Sequence, residues 1–379
     1  MKAWKFFFAA CIGFSLIAEQ CAAGDTVKEE RLQLPIQVGS VAEQLETLVV
    51  RPVAGDRFPL VLIVNGSAGA SPSEMHPDWL AQMAHDFAHR GWIAASVVWP
   101  GYGRSTGTFM NKAGDCAQPN VSLFLDAHGD ELAAALAALR NRSDVDPSTT
   151  LGVGVSIGGA SMLDLAGRKD RPLTAAVNIS GGVYHYTKVG VAESNCSLYQ
   201  DDLVRNFSGF GRDNPTPTLW IYAANDPYFG PDLAQRLLSG YRSEGGNVEF
   251  VGLPPFEKDG HTLYKQEASV LLNPRIDDFL RRNHLPAMSN EALAPLLSVL
   301  PAADRSSAQR YLKSATEKAA AMGDGGDGFF WFYGAQSIED ARQHALTVCQ
   351  EKGVKNCRIV AENMQLAEGW RNGPSAAGQ

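Results

Sequence analysis

The segment Leu151-Gly-Val-Gly-Val-Ser-Ile-Gly-Gly-Ala160 constrains this chain more than any other. An apolar run suited to a buried strand ends in Gly154-Val155-Ser156-Ile157-Gly158, and a small-residue stretch suited to a helix follows. A side chain held at the tip of a sharp strand-to-helix turn needs a strained backbone. Residues two positions to either side must then be glycine, because larger ones would collide. The helix that begins there aims its first N–H groups at negative charge developing beside the serine. The pattern predicts a nucleophilic Ser156 at the edge of a sheet.

The surrounding chain supplies that sheet. From about Leu34 to Arg282, short apolar runs alternate with amphipathic helices, which predicts an α/β fold: a mostly parallel sheet covered on both faces. The runs are Leu60–Val64, Ile93–Val98, Leu151–Val155, Ala175–Ile179, Thr218–Tyr222 and Val248–Val251, and their near-continuous apolarity suits central strands. Helices are expected around Trp79–His89, Ser122–Leu139, Ile157–Gly167, Pro231–Tyr241 and Tyr264–Leu280. Beyond His284 the composition shifts. Residues 289–322 read as two helices broken at Pro301, and Gly323-Asp-Gly-Gly-Asp-Gly328 as a flexible joint that lacks the further ligands of a calcium loop. A small α+β module follows: an aromatic strand at Phe329–Tyr333, a helix capped by Ser337 with Asp340, and a strand at Cys357–Val360. The expected division is an export signal over 1–23, an α/β domain over 24–285, a helical and Gly-rich linker over 286–328, and a cysteine-pair module over 329–379.

Lys2 and Lys5, the apolar stretch Phe6–Ala18 and the small residues of Cys21-Ala22-Ala23 have the form of a cleaved signal peptide. Its apolar stretch is shorter than a bilayer requires, so no stable membrane insertion is expected after cleavage, and the mature chain is expected to be secreted or periplasmic. Cleavage after Ala23 leaves Cys116, Cys196, Cys349 and Cys357 in an oxidising compartment. Four cysteines allow three connectivities, of which the economical one joins Cys349 to Cys357 locally and Cys116 to Cys196 across two loops. The remaining composition, 45% hydrophobic and 20% charged, excludes a disordered chain. A formal charge of −8 leaves no basic excess to neutralise phosphates, so nucleic acid is not an expected partner.

A serine hydroxyl needs a base, and the base needs an orienter. Behind a strand-to-helix nucleophile turn the order along the chain should be Ser, acid, His. The strand Thr218–Tyr222 leads into Ala223-Ala-Asn-Asp226-Pro227, placing Asp226 at a strand's carboxyl end. The strand Val248–Val251 leads to Lys258-Asp-Gly260-His261, where Gly260 permits a sharp turn that brings His261 back over Ser156. Both positions lie where open α/β sheets bind ligands. His284, His344 and Asp259 are the weaker rivals. An oxyanion needs two preorganised N–H donors. The expected pair is Ile157, which follows the nucleophile, and Ser67 in the turn Val64-Asn-Gly-Ser67-Ala-Gly.

Taken together, Asn65-Gly66-Ser67, Trp99-Pro-Gly-Tyr-Gly-Arg-Ser105, the Ser156 turn, Asp226 and His261 resemble the α/β-hydrolase superfamily. The resemblance covers residues 34–282 and is nearest to the dienelactone hydrolase-like and prolyl-oligopeptidase-like branch. It implies the α/β-hydrolase fold and a Ser156–His261–Asp226 triad. Two positions depart from the pattern: dienelactone hydrolases proper carry a cysteine nucleophile, and many relatives have His where this chain has Asn65. The tail resembles small cysteine-pair modules appended to secreted bacterial proteins.

Loops after the strands supply Tyr102, Tyr184 and Phe229 as candidate substrate contacts, with Arg104, Phe109, His185 and Tyr186 nearby. Segments 106–120 and 182–200 have the length of a lid, clipped by Cys116 and Cys196. The expected activity is that of a secreted serine hydrolase acting on small-molecule or polymeric carboxylic esters, with no metal or organic cofactor in the reaction. A peptidase of the same fold, or a binding protein that retains it, are the alternatives. The tail is a candidate for binding a further partner, and its removal after residue 288 is expected to spare small-ester hydrolysis.

Overall fold

Leu60, Leu62 and Val64 pack into one hydrophobic core and their neighbours Val61 and Ile63 into another, because successive side chains on a strand point to opposite faces. The computed structural model describes residues 26–69, 71–188, 191–192, 196–326, 328–368 and 370. The export signal read over residues 1–23 and part of segment 182–200 lie outside them.

The main sheet comprises β1 (Val27–Val38), β2 (Val41–Pro52), β3 (Phe58–Val64), β4 (Ile93–Val97), β5 (Val145–Val155), β6 (Ala175–Ile179), β7 (Thr218–Ala223) and β8 (Val248–Leu253). These eight strands lie in the order β1-β2-β4-β3-β5-β6-β7-β8. β2 is antiparallel to both β1 and β4. All other pairs are parallel. On the face of Val61 and Ile63 sit α1 (Ala81–Ala88), with Met83 and Phe87, and α6 (Ser269–Arg282), with Leu272, Ile276 and Phe279. On the opposite face sit α2 (Val121–Arg140), α3 (Ile157–Ala166), α4 (Ser197–Gly211) and α5 (Pro231–Ser243). This strand order with helices on both faces is the α/β-hydrolase fold. Among the described residues no helix is long and apolar enough to cross a membrane.

Two elements depart from the sequence reading of the core. The β1–β2 hairpin is long and lies at the edge of the sheet, and β1 carries four exposed charged residues, Lys28, Glu29, Glu30 and Arg31, before exposed Gln33, Pro35 and Gln37 alternate with buried Leu34 and Ile36. It therefore lacks the apolar run that marks a central strand. Helix α4 begins at Ser197, inside the segment read as a lid.

The tail departs further. Helices α7 (Ala294–Val299) and α8 (Arg305–Lys313) do flank Pro301. Residues 319–322, read as helical, instead form strand β9 (Ala319–Met322). It pairs with β10 (Phe330–Phe332) on one side and β11 (Arg358–Glu362) on the other, and β12 (Gln365–Leu366) extends the sheet. Alanine has high helix propensity, but burial overrides it here. Ala319 and Ala321 pack on Ala341, Ala345 and Cys349 of α9 (Ile338–Glu351), while Ala320 and Met322 pack with Tyr311 and Leu296. Only small residues let the helix and strand approach this closely. Gly323–Gly328 is accordingly the connection between β9 and β10, not a joint between core and tail.

The tail is docked on the core through buried polar groups. Thr316 donates to Asp86 of α1 from its N–H at 2.7 Å and its hydroxyl at 2.8 Å. Ala315 N–H donates to Ser269 Oγ at 2.9 Å. Asn273 of α6 donates to the second Asp86 oxygen at 3.1 Å. Two disulfides are present: Cys116–Cys196, with Cα atoms 5.6 Å apart, and Cys349–Cys357, at 6.2 Å.

Candidate active site

Ser156 holds φ at 56° and ψ at −123°, a conformation that L residues rarely adopt. Its N–H is held by the Ile179 carbonyl of β6, and its own carbonyl accepts from Gly182 and from Ala160 in α3. The neighbouring glycines are needed for the reason the sequence suggested. A Cβ on Gly154 would run into the Gly158 backbone, and one on Gly158 would meet the Asn65 carbonyl 2.5 Å away.

Three loops at the carboxyl edge of the sheet converge on this turn. His261 stands in a single helical turn after β8, its N–H donating to the Asp259 carboxylate at 2.8 Å. Gly260 is required there, since a Cβ would lie 2.7 Å from Asp226 N. His261 Nε2 lies 3.0 Å from Ser156 Oγ, and Nδ1 lies 3.0 Å from Asp226 Oδ2. The other Asp226 oxygen accepts the N–H groups of Tyr228 at 2.9 Å and Phe229 at 3.0 Å. Burial raises the Asp226 carboxyl, but the His261 hydrogen bond and charge and these two N–H groups outweigh it, leaving the group below its ordinary value. The carboxylate stays ionised and holds the imidazole in one orientation.

A cleft of about 300 Å³ opens over Ser156 and His261. Asn65, Gly66, Ser67 and Ala68 lie together along its lining. Two aromatic pairs lie among the remaining lining residues. Tyr184 stacks on Tyr228 at 4.3 Å, and Trp79 faces Tyr264 at 6.5 Å with their planes 16° apart.

The three candidate substrate contacts separate on inspection. Tyr184 lines the cleft. Tyr102 is buried outside the cleft lining, and its hydroxyl accepts the Ala68 N–H at 3.3 Å while its ring stacks on Phe109. Phe229 is buried behind His261, with its ring 5.6 Å from the imidazole. Both support residues of the site from the layer beneath. Arg104 is occupied by Glu46, to which its N–H donates at 2.7 Å and its Nε at 3.0 Å. Trp79, Tyr228 and Tyr264 also line the cleft, a role the sequence does not mark for Trp79 or Tyr264. Tyr228, two residues past Asp226, carried the one local signal.

Fold and site together define an α/β-hydrolase-fold protein with Ser156, His261 and Asp226 in hydrogen-bonded series at the strand-to-helix turn. No known family profile and no curated protein sequence matches the chain. Solved structures are similar to it. The esterase Pf2001 of Pyrococcus furiosus is 16% identical, with 67% of this chain and 91% of that one covered and a TM-score of 0.48. Est1E of Butyrivibrio proteoclasticus, solved with ferulic acid, is 15% identical over 66% of this chain and 98% of that one, with a TM-score of 0.46. A dienelactone hydrolase-like promiscuous phosphotriesterase from metagenomic libraries is 18% identical over 61% and 82%, with a TM-score of 0.41.

Proposed function

We propose that this protein is a secreted serine hydrolase that cleaves carboxylic esters through an acyl-enzyme. The observation that carries the reading is the series Ser156 Oγ–His261 Nε2 and His261 Nδ1–Asp226 Oδ2, each 3.0 Å, beneath an open cleft. In the first half-reaction Ser156 Oγ attacks the ester carbonyl as His261 Nε2 takes its proton. Asp226 stabilises the imidazolium. The tetrahedral oxyanion is held by the N–H groups of Ile157 and Ser67. Collapse breaks the bond to the alkoxy group, which leaves as an alcohol with the proton from His261. Water then attacks the acyl-enzyme, giving up a proton to His261, and the acid departs as that proton returns to Ser156 Oγ.

The two disulfides support secretion, since such bonds persist in oxidising compartments. The aromatic pairs at the cleft favour substrates with a flat apolar portion. A fluorophosphonate probe tests the reading directly. Labelling of the folded chain that disappears in Ser156→Ala is expected. Absence of labelling, or labelling that survives the substitution, would remove the enzyme reading and leave a binding protein on this fold. A matched pair of ester and amide substrates decides between esterase and peptidase, with the ester expected to turn over faster.

A further inference from the structure

On the face of the sheet that carries α1, at the seam between core and tail, three side chains point their ligand atoms at one spot. His85 and His89 lie four residues apart, within α1 and at its C-terminal cap, so they share a face. Glu317 enters from the segment just before β9, held at φ 51° in the left-handed region. Its Oε1 lies 3.1 Å from His85 Nδ1 and 2.8 Å from His89 Nε2. All three ligand atoms lie within 4.8 Å of one another, and no other such group occurs among the described residues.

We propose that His85, His89 and Glu317 form a binding site for a divalent transition-metal ion that clamps the tail onto the hydrolase core. Two imidazoles and a carboxylate suit zinc or a near neighbour rather than calcium or magnesium, which prefer oxygen ligands. Ligand atoms in a tetrahedral zinc shell stand about 3.3 Å apart, so the separations of Glu317 Oε1 from the two imidazole nitrogens need to widen by only a few tenths of an ångström to admit an ion, and those nitrogens lie within 4.8 Å of each other. The outer shell is also built. His85 Nε2 lies 2.7 Å from Glu29 Oε1 on β1, the carboxylate–histidine arrangement that orients a metal-bound imidazole through its other nitrogen. A cavity of about 330 Å³ adjoins the site, lined by His89, Glu317, Glu362 and Asn363 among others, and supplies both an entry path and room for a water as fourth ligand.

The site is separate from the catalytic cleft and shares no lining residue with it. Its ligands come from both parts of the chain, so an ion here would tie them together. It therefore predicts a metal-dependent docking strength, not a metal-dependent reaction.

Calorimetric titration of zinc chloride into the full-length, tag-free chain, stripped with a chelator beforehand, tests the proposal. One equivalent is expected to bind, with at least tenfold weaker binding in His89→Gln of unchanged far-UV circular dichroism. Failure of the wild-type chain to bind one equivalent, or unchanged affinity in folded His89→Gln, overturns it. Should His89→Gln not fold, X-ray absorption of the wild-type zinc complex decides: two imidazoles per ion support the site, and fewer than two overturn it.

Discussion

Gly66 lies so close to Ser156 that a Cβ on residue 66 would stand 2.8 Å from the Ser156 Cβ. Real Cβ atoms do not approach so near, and the same atom would press on the Val155 carbonyl at 3.3 Å. Gly66→Ala must therefore push the 66–69 loop outward or tilt the serine. Either shift misplaces the Ser67 N–H relative to the position of an oxyanion. Loss of one such donor lowers kcat by about 10²–10³-fold. The expected result is a fall in kcat of that size with the melting temperature little changed. Wild-type turnover in Gly66→Ala would place the second donor elsewhere.

The hydrogen-bonded series makes a second, sharper demand. His261→Ala and Asp226→Asn should each lower kcat by roughly 10³–10⁴-fold, because the first removes the base and the second releases its tautomer. The Asn variant is the more informative, since Tyr228 and Phe229 N–H groups keep an acceptor at position 226. Steady-state kinetics on a p-nitrophenyl ester, with circular dichroism as the folding control, measure both. Near-normal kcat in His261→Ala would transfer the base role to another residue.

Asp164 of α3 gives a pH prediction away from the cleft. Burial pushes its carboxyl up to about 6, with Arg168 opposing the shift. The folded state thus favours the protonated form. The associated stability is complete below the ordinary carboxyl value of 3.8 and is lost as pH rises through about 6. That loss is on the order of 2–3 kcal/mol. Asp164→Asn mimics the protonated form, so the unfolding free energy of the wild type is expected to fall relative to that of the variant as pH rises between those values. Parallel urea titrations across the window provide the comparison, and identical slopes would discard the assignment.

The legible and illegible parts of this chain differ in kind. Central strands carry their own apolar record, so β3 to β7 could be placed from composition and spacing, and the half-buried edge strand β8 from the short run Val248–Val251. The Ser156 turn could be read because glycine is the only residue that fits beside it. Asp226 and His261 followed because chain order and strand ends restrict where an acid and a base can stand. By contrast, β1 reveals itself only through its partner β2, and β9 only through the layers that bury its alanines. Trp79 and Tyr264 meet across the cleft from loops 185 residues apart, a proximity with no local signature. His85 and His89 have a visible helical spacing, yet it acquires a chemical meaning only when Glu317 arrives from the tail.

That docking bears on how truncation after residue 288 should affect stability. Ending the chain at residue 288 removes the Thr316 donors from buried Asp86 and the Ala315 donor from Ser269. Hydrogen bonds to a charged group contribute about 1.5–3 kcal/mol each, and a buried acceptor left unpaired costs more. The truncated chain is expected to melt well below the full chain or to be recovered insoluble. Asp86→Ala isolates part of this effect and should cost about 3 kcal/mol, about 4 °C in melting temperature for a chain of this length. Among the described residues no tail residue lines the catalytic cleft, so the fraction that remains folded should still take the fluorophosphonate label. A truncated chain as stable as the full one would show that the seam contributes nothing.

The two disulfides should differ in how much they stabilise, and for a reason that lies in the unfolded chain. Cys116–Cys196 closes a loop of 80 residues, whereas Cys349–Cys357 closes one of 8. Cross-linking removes conformations from the unfolded ensemble in proportion to the logarithm of loop length, giving about 4.5 kcal/mol for the first and about 2.5 kcal/mol for the second. The first also ties the segment after β4 to the start of α4, which packs on the same face of the sheet as α2. The second joins the end of α9 to the segment before β11, within the tail alone. Replacing each pair by serine and measuring urea unfolding should therefore show the larger loss for the 116–196 pair. The 349–357 variant should lose stability chiefly in the tail, seen as faster hydrogen exchange in β9 and β11 with little change in β3 and β5. A larger loss from the short loop than from the long one would show that native-state packing around Cys349, which is fully buried against Ala341 and Ala345, outweighs chain entropy here.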